Sequence, residues 1–142
     1  MPDSQIEKVL DVTAGMPLAM KLFVSQVEFV DFDDVIERLR SVSTERNLYD
    51  YLFETSWQKI MEQDDAASIS LLLHLAVMPD PISIKELYGL DDLTEKEVHG
   101  GIERLDKLSL IELSTPEVGR KKVSLHSFTS RYVNETLQSR YE

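Results

Sequence analysis

Residues 94–125 read TEKEVHGGIERLDKLSLIELSTPEVGRKKVSL, and the hydrophobic period changes in the middle of them. From Thr94 the apolar positions Val98, Ile102, Leu105 and Leu108 recur at helical spacing, and Thr94 with Glu97 forms a capping box that marks the helix start. At Ile111-Glu-Leu113 the period drops to two, the spacing of a strand whose side chains alternate between faces. Thr115-Pro-Glu-Val-Gly119 carries turn chemistry and Val123-Ser-Leu125 alternates again. A hairpin is therefore expected, with its apolar pairs on one core and Glu112 and Ser124 facing out.

Upstream, Ser83-Ile-Lys-Glu86 is a second capping box and predicts another helix start. Before it, the helix predicted over Ala66 to Met78 places Ile69, Leu72, Leu73, Ala76 and Val77 at i, i+3, i+4, i+7 and i+8, one apolar stripe that needs a partner. Three helices followed by a two-stranded wing is the order of a winged helix, expected here over residues 66–133.

The N-terminal part reads as helices only. Ser4 to Thr13 carries Ile6, Val9, Leu10 and Thr13 on one face, and Gly15 is suited to stop it in a left-handed conformation. Pro17 fits the first turn of a second helix with Ala19, Leu22, Phe23, Val27 and Val30 as its stripe. Asp31-Phe-Asp-Asp34 supplies a cap and negative charge for a third, with Phe32, Val35, Ile36 and Leu39 inward. A longer helix from Arg46 to Met61 carries Tyr49, Leu52, Phe53, Trp57 and Ile60, and Ser43 to Glu45 is the expected boundary. The expectation is a mainly α chain: a small helical bundle over residues 1–44, then a winged-helix domain over 45–142.

Composition narrows the function. With 26 acidic against 15 basic residues, the net charge of -11 repels phosphate backbones and anionic lipid, so nucleic acid and membrane partners are disfavoured. The charge divides as -6 through Glu62 and -5 from Gln63 onward, so neither half is a basic module. There is no cysteine, which removes disulfides and thiolate metal sites and fits a reducing compartment. No signal peptide or apolar run of membrane length occurs, and a cytoplasmic location is expected.

No phosphate loop, dinucleotide fingerprint or zinc-protease motif stands in the chain, so no catalytic residues are assigned. His74, His99 and His126 lack metal-ligand spacing, and no metal site is expected. His126 follows a strand and precedes a helix expected to start at Ser127. From position alone it is either a surface histidine at the end of a wing or a group near helix-terminal amides that meets an anion. Gly15-Met-Pro17 reads locally as a helix stop and restart. Asp91-Asp92 reads as a solvated cap. Arg120-Lys-Lys122 is the only basic cluster, either a solvated turn tip or a phosphate contact. A winged-helix DNA-binding transcriptional regulator is the alternative function, but Glu95, Glu97, Glu103 and Asp106 outnumber Lys96, Arg104 and Lys107 on the helix that would enter the groove.

Taken together, the parts resemble a known family. Residues 9–22, VLDVTAGMPLAMKL, look like the G-x-P segment that opens the helical domain after the nucleotide-binding domain in STAND-class, NB-ARC-like signalling ATPases. Leu48 to Trp57 is similar to the helix leading into that family's winged-helix domain, and Ser70 to Pro79 resembles the domain's first helix. Val123-Ser-Leu-His-Ser-Phe128 falls at the family's "MHD" or bacterial "LHP" motif. The resemblance implies that Pro17 packs on the adenine of bound nucleotide and that His126 reaches the β-phosphate of ADP. Ser127 replaces the aspartate of the plant-type motif; a serine there is suited to cap the following helix. The resemblance also implies that this region is part of a longer ATPase. ADP or ATP would be bound by the parent and not tightly by this region, the partner would be the nucleotide-binding domain of the same polypeptide, and the region itself would be non-catalytic.

Overall fold

Caps and prolines fix where the helices of the first compact unit, Met1–Trp57, begin. In the computed structural model, which describes residues 2–42, 44–78 and 80–141, helix α1 spans Asp3–Thr13. It stops through two left-handed residues, Ala14 at φ 53° and Gly15 at φ 69°, and the Gly15 N–H donates to the Leu10 carbonyl at 3.1 Å. Helix α2, Pro17–Gln26, has Pro17 in its first turn, where the missing N–H has no intrahelical partner to lose. Asp31 caps α3, Phe32–Arg40, accepting from the amides of Asp33 and Asp34 at 3.0 and 3.4 Å. Helix α4, Glu45–Glu62, runs from this unit into the next; Thr44 Oγ1 accepts from the Asn47 amide at its start.

Val9, Ala19, Leu22, Phe23, Val35, Ile36, Leu39, Leu52, Phe53 and Trp57 are buried, much as the helical periodicity predicts. Ile6 and Leu10 are not: both are more than 40% exposed, and α1 turns Val9 and Thr13 inward instead. Phe23 meets Phe32 edge to face with centroids 5.3 Å apart. A polar tie crosses the core of this unit, where the buried Gln26 amide donates to the Leu52 carbonyl at 2.5 Å and to Ser56 Oγ at 3.1 Å.

The second unit is Gln58–Glu142. Helix α5, Ala66–Ala76, buries Ala67, Ser68, Leu71, Leu72, Leu75 and Ala76. The expected stripe was out of phase: Leu72 and Ala76 are inside, Ile69 and Leu73 are half-buried, and Val77 lies past the helix end at 62% exposure. A helix with few polar residues, here Ser68, Ser70 and His74, gives periodicity little contrast to work with, and the position of the partner helix decides the face. That partner is α6, Glu95–Lys107, which opens with the expected reciprocal capping box of Thr94 and Glu97 and buries Val98, Ile102 and Leu105. Gly101 sits where the two helices meet; a Cβ there would lie 2.6 Å from Leu71 Cδ1.

Asp65 caps α5, accepting from the Ser68 amide at 3.1 Å and from Ser68 Oγ at 2.5 Å. The same carboxylate takes both arms of Arg104 from α6, at Nε and, at 2.8 Å, Nη2. Burial pushes the Asp65 carboxyl up, but the bonds from Arg104 and Ser68 outweigh it and hold the group below the usual carboxylate range.

The sheet has one strand more than the expected two-stranded wing. Strands β1 (Ile82–Ser83), β2 (Glu112–Glu117) and β3 (Arg120–Ser124) form an antiparallel sheet in the order β1-β3-β2. Leu113 faces Val123 and Glu112 faces Ser124 across the hairpin, while Ile82 faces Val123 from the other side. Val123, on the central strand, is fully buried, whereas its partner Leu113, on the edge strand β2, is 41% exposed. Ser83 does not cap a helix. Its backbone is extended and pairs with Lys122, its side chain makes no cap bond, and Ile84–Leu87 completes only a 3₁₀ turn that buries Leu87. Gly89, Asp91 and Asp92 all have positive φ around a second such turn, so Asp91 and Asp92 shape a bend and Thr94 alone caps α6.

After β3 comes α7, Ser127–Tyr132, continued by a π turn over Val133–Leu137 and a 3₁₀ turn over Gln138–Tyr141. Asn134 and Gln138 donate to the Ala76 and Leu73 carbonyls at 2.8 and 3.0 Å, satisfying groups that the end of α5 leaves without intrahelical partners. The chain is thus mainly helical with a small three-stranded antiparallel sheet. Ser43 and Pro79, which belong to the expected boundary and to the Ser70 to Pro79 likeness, lie outside the described residues. Among the described residues no helix is long and apolar enough to cross a membrane.

Candidate functional site

His126 lies between β3 and α7 with the extended backbone of a cap residue, φ -60° and ψ 148°. Serine is the residue type expected to cap this helix, yet the imidazole does so: Nδ1 accepts from the Phe128 amide at 3.2 Å, and Ser127 is the first helical residue. The bond has a chemical consequence. An Nδ1 that accepts a hydrogen bond cannot carry the proton, so the neutral ring is the Nε2–H tautomer and Nε2 is a donor. The ring also stacks on Phe128, with centroids 5.4 Å apart and planes 16° from parallel, which fixes its orientation. It is half-buried.

A cleft of about 520 Å³ is lined by the end of α5, by Asp80 and by Val123, Leu125, Ser127 and Ser130; His126 is not among the residues that line it. Its walls mix hydroxyls with Val77 and Met78, both exposed apolar side chains.

Pro17 belongs to the first unit. It is exposed at the first position of α2, held there by the left-handed pair Ala14-Gly15 and by the Met16 N–H bond to the Thr13 carbonyl at 3.1 Å. Leu18 and Ala19, immediately after it, are buried, so the backbone carrying the ring is anchored from the core side. The result is a rigid apolar face without an N–H that would need a partner.

The remaining histidines have other surroundings. His99 Nε2 lies 2.6 Å from the Tyr88 hydroxyl, a contact between α6 and the segment before it that eleven residues of separation hide from pattern reading. His74 is half-buried within α5. Among the described residues no group of three or more His, Asp or Glu side chains is arranged to hold a metal ion.

Two features escaped sequence reading, each for its own reason. The Asp65–Arg104 pair spans 39 residues and joins two helices, and the histidine cap depends on a ring nitrogen standing where hydroxyl and carboxylate oxygens usually do. No family model, curated protein or solved structure matches the chain.

Proposed function

We propose that this chain is the regulatory region of a STAND-class, NB-ARC-like ATPase, a helical subdomain followed by a winged helix, and that it reads bound ADP through His126 and Pro17. The observation that carries the reading is the histidine cap. With Nδ1 committed to the Phe128 amide, His126 presents Nε2–H as a donor of fixed direction, suited to a phosphate oxygen. The exposed Pro17 ring is suited to an adenine face. The succession α5, β1, α6, β2, β3 supports the winged-helix reading, with a 3₁₀ turn standing where a middle helix was expected.

In this reading the region catalyses nothing itself. It closes over ADP held by a nucleotide-binding domain of the same polypeptide and swings away on exchange for ATP, so that nucleotide identity biases a two-state arrangement. The test is the longer polypeptide. It should contain a phosphate loop upstream of residue 1 and bind ADP, and His126→Ala should weaken ADP without unfolding the region. A longer polypeptide without that loop, or one indifferent to ADP, overturns the reading.

A further inference from the structure

In the sheet order β1-β3-β2 the central strand is β3, so among the described residues β1 and β2 each have one side without a strand neighbour. The edge at β1 is only two residues long, whereas β2 runs for six, Glu112–Glu117. Successive residues of an antiparallel strand turn their N–H and C=O groups alternately to its two sides, so alternate residues of β2 offer both groups away from β3. Such a row is a template for another strand, and folds blunt it with proline, irregular pairing or charge. In β2 the first two devices stand toward the hairpin tip: the register shifts between Ser114 and Glu117, and Pro116 brings no N–H. At the other end Glu112, Leu113 and Ser114 keep regular pairing with Ser124, Val123 and Lys122.

The side chains at that end say what a further strand would carry. Cross-strand partners share a face, so Leu113 lies on the face of the fully buried Val123, yet it is 41% exposed. A strand laid along β2 would set a residue directly opposite Leu113, with Cβ atoms about 5 Å apart, and a β-branched apolar side chain there would extend the buried layer. Glu112, one residue earlier, falls on the other face and is exposed. A cation opposite it is favoured and a carboxylate is opposed. The whole chain adds to that selection, since its net charge of -11 attracts a basic segment and repels a second copy of itself.

We propose that the open end of β2 docks an extended basic segment of another polypeptide as a fourth strand, with a lysine or arginine opposite Glu112 and a valine or isoleucine opposite Leu113. Backbone bonds along the edge supply the affinity, and the two side-chain pairs supply the selection. His126 and Pro17 take no part in it.

The test is NMR titration of the purified 142-residue chain with a short capped peptide that alternates lysine and valine. Saturable amide shifts at residues 112–115, with slowed hydrogen exchange there, are expected. A peptide that alternates glutamate and valine should bind about tenfold more weakly. Glu112→Lys should weaken the lysine peptide and strengthen the glutamate peptide, each about threefold, whereas Glu37→Lys, the same charge change at an exposed position of α3, should leave both within about twofold. Leu113→Lys, which sets a charge on the edge, should weaken both peptides about tenfold. Shifts spread over the acidic surface, equal binding of the two peptides, or a Glu112→Lys variant that behaves like Glu37→Lys overturn the proposal. So does a chain that sediments as a dimer with its β2 amides protected before any peptide is added, which would give the edge to a second copy.

Discussion

Asp65→Ala should be among the most damaging polar substitutions in the second unit, and its cost can be built from the contacts it removes. The carboxylate caps α5 and receives Arg104 from α6 in a two-pronged bond; its side chain is 7% exposed, that of Arg104 44%. Losing a helix cap to alanine costs about 1 kcal/mol. The ion pair adds about 1 kcal/mol, near the top of the range for solvent-screened pairs because its geometry is bidentate and one partner is shielded. Arg104 is exposed enough to rehydrate when released, so no stranded buried charge enlarges the effect, and the total is about 2 kcal/mol. Asp65→Asn keeps a capping oxygen and loses the charge, so it should cost about half as much. Because the Asp65 pKa is lowered in the folded state, its ionic contribution is present above the unfolded carboxylate value of about 3.9 and is lost as pH falls through the lower folded value. The gap between native chain and Asp65→Asn should therefore stay constant from about pH 7 to 5 and close below about pH 4. Urea unfolding followed through the amide signals of residues 66–107 measures both quantities. An alanine variant no less stable than the asparagine one, or a gap of equal size at about pH 7 and pH 3, would refute the argument.

Three further outcomes follow from the packing and the charge. Gln26→Met should cost about 1 to 2 kcal/mol: it keeps the volume and removes the buried Oε1 that has no partner among the described residues, but gives up the Nε2 bonds to the Leu52 carbonyl and Ser56 Oγ; Gln26→Ala should cost about 3 to 4 kcal/mol in the same urea titration by leaving a cavity as well, and equal costs for the two would contradict this. Gly101→Val should destabilise by about 2 kcal/mol despite better helix propensity, since its Cβ alone would stand 2.6 Å from the fully buried Leu71; an unchanged urea midpoint would show that the α5–α6 contact yields more easily than the geometry implies. Random duplex DNA at ~0.1 M salt should bind more weakly than the 10⁻⁴ to 10⁻⁶ M usual for non-specific binders, and retention at micromolar protein in a gel shift would favour the DNA-binding alternative.

The helix starts were the most readable part of the sequence, because a local side-chain bond or a proline marks them. Asp31 and Thr94 cap the helices they announce, and Pro17 sits in the first turn it suits. Ser83 failed by the same logic: a serine three residues before a glutamate has capping potential, but its backbone was claimed by Lys122 in a strand pair reaching across 39 residues. The face of α5 was misread because nearly every position from Ile69 to Ala76 is apolar or small, so only the place where Gly101 lets α6 approach decides what is buried. At the candidate site, the position of His126 between a strand and a helix was legible. Its role as the cap was not, since capping preferences point to Ser127, and the choice rests on the ring reaching the Phe128 amide.

The proposal that His126 reads ADP is tested most directly by the rate of ADP release, with and without His126→Ala, from the longer ATPase to which the chain is proposed to belong. A charge-assisted hydrogen bond of this kind contributes about 1.5 to 3 kcal/mol, so the variant should hold ADP roughly 10- to 150-fold more weakly. Release should be faster to match, and signalling should begin without the stimulus, because the lost contact opposes opening. The fold should survive, since the ring gives up one cap bond at the end of a six-residue helix. An unchanged release rate together with a strongly lowered melting temperature would make His126 a packing residue and contradict the account.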